Sequence, residues 1–200
     1  MTYWRNAIHW HREIIVPMKI NTTSIPDLLY ITDIPIFSDE RGSFRTPFRI
    51  DMGTYPQLAW LETKQWNISE NERGATRGIH AEPWNKFVHV ITGKAFAAIV
   101  DLTFGEAPRR IEIFELDATC ALYIPKGCGN SFQALDFTIY AYLTSELWQA
   151  GEKYLAVSLD DPELAIDWPI KDPERIISDK DRALPTCVEV FGEKMVVGYD

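Results

Sequence analysis

Arg77-Gly78-Ile79-His80-Ala81-Glu82-Pro83-Trp84-Asn85-Lys86 leads directly into Phe87-Val88-His89-Val90-Ile91-Thr92-Gly93. The second half is a run of apolar, mostly β-branched residues around one histidine, closed by glycine, which is the pattern of a buried strand and its turn. Counted along a strand from His80, alternation puts Lys86 on the same face and His89 on the opposite one. His80 and Lys86 are therefore the expected functional pair, with Arg77 beside them, and His89 is read as structural. One imidazole and one ammonium make a poor metal site, because divalent ions take three or four donors with no cation among them. They suit proton transfer instead: a base beside a positive charge that can hold a developing oxyanion.

The flanking sequence repeats the strand-and-turn signal. Ile34-Pro35-Ile36-Phe37 leads into the polar turn Ser38-Asp39-Glu40-Arg41-Gly42 and then Ser43-Phe44-Arg45. The stretch from Trp60 to Ser69 alternates, Ala95 to Leu102 is almost continuously apolar, and Ile111–Phe114, Cys120–Ile124 and Phe132–Thr144 follow. Many short strands without a strong helical window predict an all-β protein, an antiparallel sandwich or jelly roll. Residues 1–30 read as an N-terminal extension, 31–160 as the roll, and 161–200 as a C-terminal tail. Pro162, Pro169, Pro173 and Pro185 punctuate that tail, and Asp172–Arg182 suits a short helix or two turns.

The chain has 200 residues, 46% of them hydrophobic, enough for one domain with a substantial core. A formal net charge of -9 excludes a nucleic-acid partner, which needs a basic surface. The opening Met1–Glu13 is broken by charge and imidazole and does not read as a signal peptide. No stretch reaches the roughly 18 apolar residues of a membrane span. Three cysteines without CxxC spacing make no even disulfide set, and none sits beside a histidine motif. A cytoplasmic protein without sulfur chemistry is expected. His9 and His11 belong to no constellation.

The spacing around His80 resembles the first motif of cupin barrels, in which His-x-His is followed by a carboxylate and then a turn glycine. Here Glu82 stands at the second histidine and Lys86 at the carboxylate. The second cupin motif, Pro-x-Gly-x-x-His, resembles Pro125-Lys126-Gly127-Cys128-Gly129-Asn130, with Asn130 at its histidine. A cupin-type jelly-roll barrel without a metal and with a short, partly helical C-terminal tail is implied.

A narrower resemblance rests on seven motifs in order. Asp39-Glu40-Arg41-Gly42, Gln65-Trp66-Asn67-Ile68-Ser69, Arg77-Gly78-Ile79-His80, Pro125-Lys126-Gly127, Asp161-Pro162, Ile166-Asp167-Trp168-Pro169 and Ile177-Ser178-Asp179-Lys180-Asp181 together resemble the dTDP-4-dehydrorhamnose 3,5-epimerase family. The resemblance implies a homodimer that needs no metal or organic cofactor and acts on a nucleotide-diphosphate sugar. It implies His80 as catalytic base, Asp181 as the acid that orients it, Tyr142 as the tyrosine across the sugar, and Lys86 as the enolate-stabilising lysine. Arg41, Gln65, Asn67 and Arg77 match positions associated with the nucleotide diphosphate and sugar, and Asn130 is expected to line the same site.

These roles are chemically coherent. Removing the hydrogen alpha to a keto group leaves charge on the carbonyl oxygen, which Lys86 can neutralise in a dry cavity. An imidazole takes a proton near neutrality, and a tyrosine hydroxyl can return one to the other face. The family pattern is not matched everywhere: its Pro-x-Gly histidine is Asn130, the lysine after the tyrosine is Leu143, and an aromatic pair reads Leu147-Trp148. The glutamine two residues past the base is Glu82, and an early glutamate aligns with Thr46. Placing Tyr142 requires a one-residue gap, so Tyr140 is a reserve candidate. The leading reading is a 4-keto-6-deoxyhexose epimerase at C3, C5 or both. A 3,4-ketoisomerase is the alternative enzyme, and a non-catalytic sugar-nucleotide-binding cupin gains if Asp181 cannot reach His80.

Overall fold

The computed structural model describes residues 18–49, 58, 62–103 and 109–192. Most of the expected N-terminal extension, the first residues of the Trp60 stretch and the end of the tail lie outside the described residues. In chain order the strands are β1 (Lys19–Thr22), β2 (Leu29–Thr32), β3 (Phe37–Asp39), β4 (Gly42–Phe44), β5 (Gln65–Asn71), β6 (Thr76–Ala81), β7 (Lys86–Thr92), β8 (Ala95–Asp101), β9 (Ile111–Leu116), β10 (Ala121–Ile124), β11 (Cys128–Ala134), β12 (Thr138–Thr144) and β13 (Leu155–Ala156). Two short helices follow, α1 (Asp179–Arg182) and α2 (Cys187–Phe191).

The strands form a six-stranded sheet in the order β1-β2-β10-β7-β12-β5 and a five-stranded sheet in the order β13-β6-β11-β8-β9, with β3-β4 as a separate hairpin. Every strand pair is antiparallel, and the two sheets pack as a jelly roll. Val88 and Val90 of β7, Leu122 and Ile124 of β10 and Tyr140 of β12 meet Ala97 and Ile99 of β8, Phe114 and Leu116 of β9 and Phe132 of β11 between the sheets.

Both outer faces are covered as well. Val157 and Leu159, with the tail residues Leu164, Trp168 and Cys187, pack on Ile79, Ala81, Ala98 and Val100. Phe87, Ala121 and Tyr123 on the back of the other sheet are covered by Ile34 and Leu58, with Phe48 and Leu143 against them. A strand buried on both faces has no polar side to show, which explains why β8 reads as one continuous apolar run. Gly93 closes the β7–β8 turn at φ +83, where a Cβ would come within 2.3 Å of the Phe137 carbonyl oxygen.

Three boundaries differ from the sequence reading. β1 and β2 already belong to the six-stranded sheet, so the roll begins near residue 19 rather than 31. The Phe132–Thr144 run is parts of two strands, broken at Leu135–Phe137 where Asp136 accepts from Lys94 N–H. Ile34–Ile36 precede the β3-β4 hairpin rather than forming its first strand. None of the described helices is long and apolar enough to cross a membrane.

Candidate active site

A cavity of about 310 Å³ opens between the sheets, lined by Asn67, Ile68 and Ser69 of β5, Arg77, Gly78 and His80 of β6, Glu82, Lys86 of β7, Asn130 of β11, Tyr140 and Tyr142 of β12, and Asp181 of α1, among others. Its polar groups come from both sheets and the tail.

His80 and Lys86 do converge, but not because they share a strand face. His80 stands on β6 of the five-stranded sheet and Lys86 on β7 of the six-stranded sheet, so they approach from opposite walls. Arg77 and His80, three residues apart, should point to opposite faces of a regular strand. Both line the cavity because β6 bulges: Asn130 pairs with His80 and Phe132 with Arg77, so two steps along β11 match three along β6. Gly78 sits in that bulge at φ +121, where a Cβ would lie 2.4 Å from the Ser131 Cβ. A bulge of this kind re-aims side chains beside a site.

His80 Nε2 lies 2.9 Å from Asp181 Oδ1. A carboxylate only accepts, so it draws the Nε2–H and leaves Nδ1 as the basic nitrogen of the ring. Asp181 is delivered by the first turn of α1, where the Ser178 hydroxyl caps the helix by accepting from Asp181 N–H. Burial pushes the Asp181 carboxyl up, but the hydrogen bond and charge of His80, the Gly78 N–H and the Ser178 hydroxyl outweigh it and hold the group below its usual range. The condition that would have favoured a binding-only protein, an Asp181 out of reach of His80, is not met.

Lys86 is buried, and its ammonium donates to Glu82 Oε1 at 2.7 Å and to Asn130 Oδ1 at 3.1 Å. An ammonium has three donors, so these two bonds leave one for a ligand. Its nitrogen also stands 5.2 Å from the centre of the Tyr142 ring. Burial lowers the Lys86 pKa, and the charge and hydrogen bond of Glu82 oppose that. Tyr142 is half-buried; burial and the nearby Glu82 carboxylate raise its pKa while Arg77 lowers it, leaving a net rise. The phenol therefore keeps its proton at neutral pH. Tyr140 is more deeply buried and stacked flat on Phe132, with ring centres 3.9 Å apart.

The expected substrate residues divide. Arg77, Asn67 and Asn130 reach the cavity. Gln65 does not line it; its amide donates to Asn67 Oδ1 at 2.6 Å and accepts from Trp148 N–H, so it orients Asn67 instead. Arg41 is on the β3-β4 turn, exposed and paired with Asp39, and does not line the cavity. His89 points away from the cavity as expected, with Nδ1 3.0 Å from the Cys120 carbonyl and Nε2 accepting from Arg45 Nε. Asn71, whose Oδ1 accepts from Arg77 Nε at 2.8 Å, had no sequence signal, and Ser178 lay inside a quoted motif without being given a role. Glu82 was visible only as a departure from a family pattern.

The family sequence model described as dTDP-4-dehydrorhamnose 3,5-epimerase matches residues 22–189 of this chain. A dTDP-4-dehydrorhamnose 3,5-epimerase from Streptomyces griseus is 31% identical over 183 residues, covering 86% of this chain and 88% of its own. Among solved structures, RmlC from Streptococcus suis in complex with dTDP-D-xylose superposes with a TM-score of 0.77 at 31% identity, covering 87% of this chain and 93% of that one. RmlC from Legionella pneumophila in complex with dTDP-4-keto-L-rhamnose gives 0.75 at 28% identity, over 92% and 100% of the two chains.

Proposed function

Because the chain belongs to the dTDP-4-dehydrorhamnose 3,5-epimerase family, we propose that it inverts C3, C5 or both in a nucleotide-linked 4-keto-6-deoxyhexose, with His80 as the base. It is an isomerase, and the reaction needs no net oxidation. His80 Nδ1 takes the proton from the carbon beside the ketone, and the bonding pair moves into an enolate whose charge settles on the C4 oxygen. The free N–H of Lys86 meets that oxygen in a low-dielectric cavity, where such a contact acts more strongly than in water. The Tyr142 hydroxyl gives its proton to the opposite face, the ketone re-forms, and solvent restores both side chains. Asp181 holds the His80 tautomer and stabilises the imidazolium. Arg77, Asn67 and Asn130 hold the sugar nucleotide, with Gln65 orienting Asn67.

The observation that carries this reading is the His80–Asp181 pair at 2.9 Å, opening into the cavity that Lys86 and Tyr142 line from the other sheet. Incubation with a 4-keto-6-deoxyhexose nucleotide in deuterium oxide should place deuterium at the inverted carbon. No exchange with dTDP-, CDP- or GDP-linked substrates would overturn it. A homodimer is proposed for the apolar edge of the six-stranded sheet, where β5 exposes Trp66 and Ile68; Arg41 is assigned to nucleotide contacts in that assembly. A cytoplasmic location is proposed on the three cysteines, which are buried free thiols.

A further inference from the structure

Glu82, Lys86 and Asn130 form a closed ring of side chains, each bonded to the other two. Glu82 Oε1 accepts from Lys86 Nζ at 2.7 Å, Glu82 Oε2 accepts from Asn130 Nδ2 at 2.9 Å, and Lys86 Nζ donates to Asn130 Oδ1 at 3.1 Å. Asn130 Nδ2 also donates to the backbone carbonyl of His80 at 2.6 Å. The ring thereby ties the sheet that carries the base to the sheet that carries the ammonium. Glu82 belongs to the turn that joins β6 to β7, and its side chain is 14% exposed against 7% for Lys86.

A cation this deeply buried is unstable without an opposite charge in contact. The titratable or charged groups lining the same cavity are His80 and Arg77 on β6, Asp181 on α1, and Tyr140 and Tyr142 on β12. Of these, Arg77 is a second cation, Asp181 is engaged with His80, and the tyrosines are neutral phenols. Glu82 is the carboxylate that touches Lys86.

We propose that Glu82 is a positioning residue for the epimerisation: its carboxylate keeps Lys86 a cation, aims the remaining N–H into the cavity, and steadies Asn130 against His80. This rests on the epimerase reading. Glu82 does not touch the reacting atoms. It works through Lys86, and its signature is in pH dependence rather than in turnover at one pH. With the carboxylate gone, burial acts on Lys86 unopposed, so the ammonium loses its proton at lower pH.

The test uses the full chain labelled with ¹³C,¹⁵N-lysine, the Lys86 signal being the one that Lys86→Arg deletes. In Glu82→Gln the Lys86 titration midpoint should fall by about 1 to 3 pH units, the usual effect of an opposite charge in contact. Glu82→Asp, which keeps the charge on a shorter stem, should give a smaller fall and serves if the amide variant does not fold. In the deuterium-exchange assay, the alkaline limb of the rate profile should move down by the same interval. Between the two limbs the ratio of variant to wild-type rate should fall about tenfold per pH unit, as titration of one proton requires. A folded variant whose Lys86 midpoint stays in place overturns the proposal. So does a rate reduced by one constant factor at every pH, which is what a purely structural role predicts. A shifted midpoint in a protein that exchanges no 4-keto sugar upholds the Glu82–Lys86 coupling and refutes the epimerase reading instead.

Discussion

Asp181→Asn tests the dyad with the smallest change of shape. The carboxylate serves three donors, the His80 Nε2–H, the Gly78 N–H and the Ser178 hydroxyl, whereas an asparagine amide has a single acceptor oxygen. One donor must then face an NH₂ group. In the proposed proton abstraction His80 becomes an imidazolium, and what the variant loses there is a charge-assisted bond, worth about 1.5–3 kcal/mol. At 1.36 kcal/mol per factor of ten, that is a fall in kcat of about 10- to 150-fold. Exchange and inversion should fall together, because both begin with the same deprotonation, and KM should move little.

The variant should also be less stable, with the buried donor left unsatisfied at about 1–3 kcal/mol, or roughly 2–12 °C in Tm for a chain of this size. The sign with pH is fixed. The Asp181 carboxyl is depressed in the folded protein from its ordinary 3.8, so its contribution is fully present above that value. It is lost as pH falls through the folded value, and the wild-type advantage should shrink in acid. Deuterium exchange by NMR and thermal melts from pH 3 to 7 measure both effects. Exchange within twofold of wild type in a folded Asp181→Asn protein would refute the role given to the dyad.

Tyr142→Phe leaves the proposed base His80 and the proposed oxyanion partner Lys86 in place, so it should wash solvent deuterium into substrate while forming little epimer. The same phenotype from Tyr140→Phe, with Tyr142→Phe like wild type, would move the donor two residues along β12, and an effect of neither would remove tyrosine from the mechanism. Turnover should survive exhaustive chelation, since an ammonium and an amide stand beside His80 where ligands would be needed; restoration of lost activity by one specific divalent ion would show the opposite. Gly78→Ala places a Cβ 2.4 Å from the Ser131 Cβ at a positive φ and should lower Tm by roughly 4–10 °C; a melt unchanged within 1 °C would mean that the bulge relaxes without cost.

Strand identity was legible wherever packing leaves a simple imprint. β7 and β8 announce themselves because both of their faces are buried, and Gly93 marks the turn between them by its conformation. The location of His80 relative to Lys86 was not legible from alternation, since that rule holds within a strand and these residues stand on facing sheets. Arg77 and His80 share a wall only through the bulge at Gly78, and a bulge shifts the phase of alternation without altering composition. Glu82 reads as an ordinary loop carboxylate until Lys86 and Asn130 fold against it. Gln65 matched a substrate position by motif, yet its amide is committed to Asn67 and Trp148; a motif fixes residue type, not which neighbour claims the hydrogen bonds.

Asp181 lies 101 residues from His80, and nothing local relates the two. What brings them together is the covering of the outer sheet face by the tail. Ile176 exchanges backbone hydrogen bonds with Gly74 and Thr76 at the start of β6, and the fully buried Gln133 side chain binds both the N–H and the carbonyl of Ile170. Trp168 fills the layer beneath and donates to the Leu159 carbonyl. Val157 and Ile79 pair backbone to backbone farther along β6. The apolar surface that holds the tail on the sheet is therefore the same surface that sets α1 beside β6. The His80–Asp181 geometry is a by-product of core packing, so a substitution under the tail, far from the cavity, should loosen the His80–Asp181 distance before it unfolds the roll.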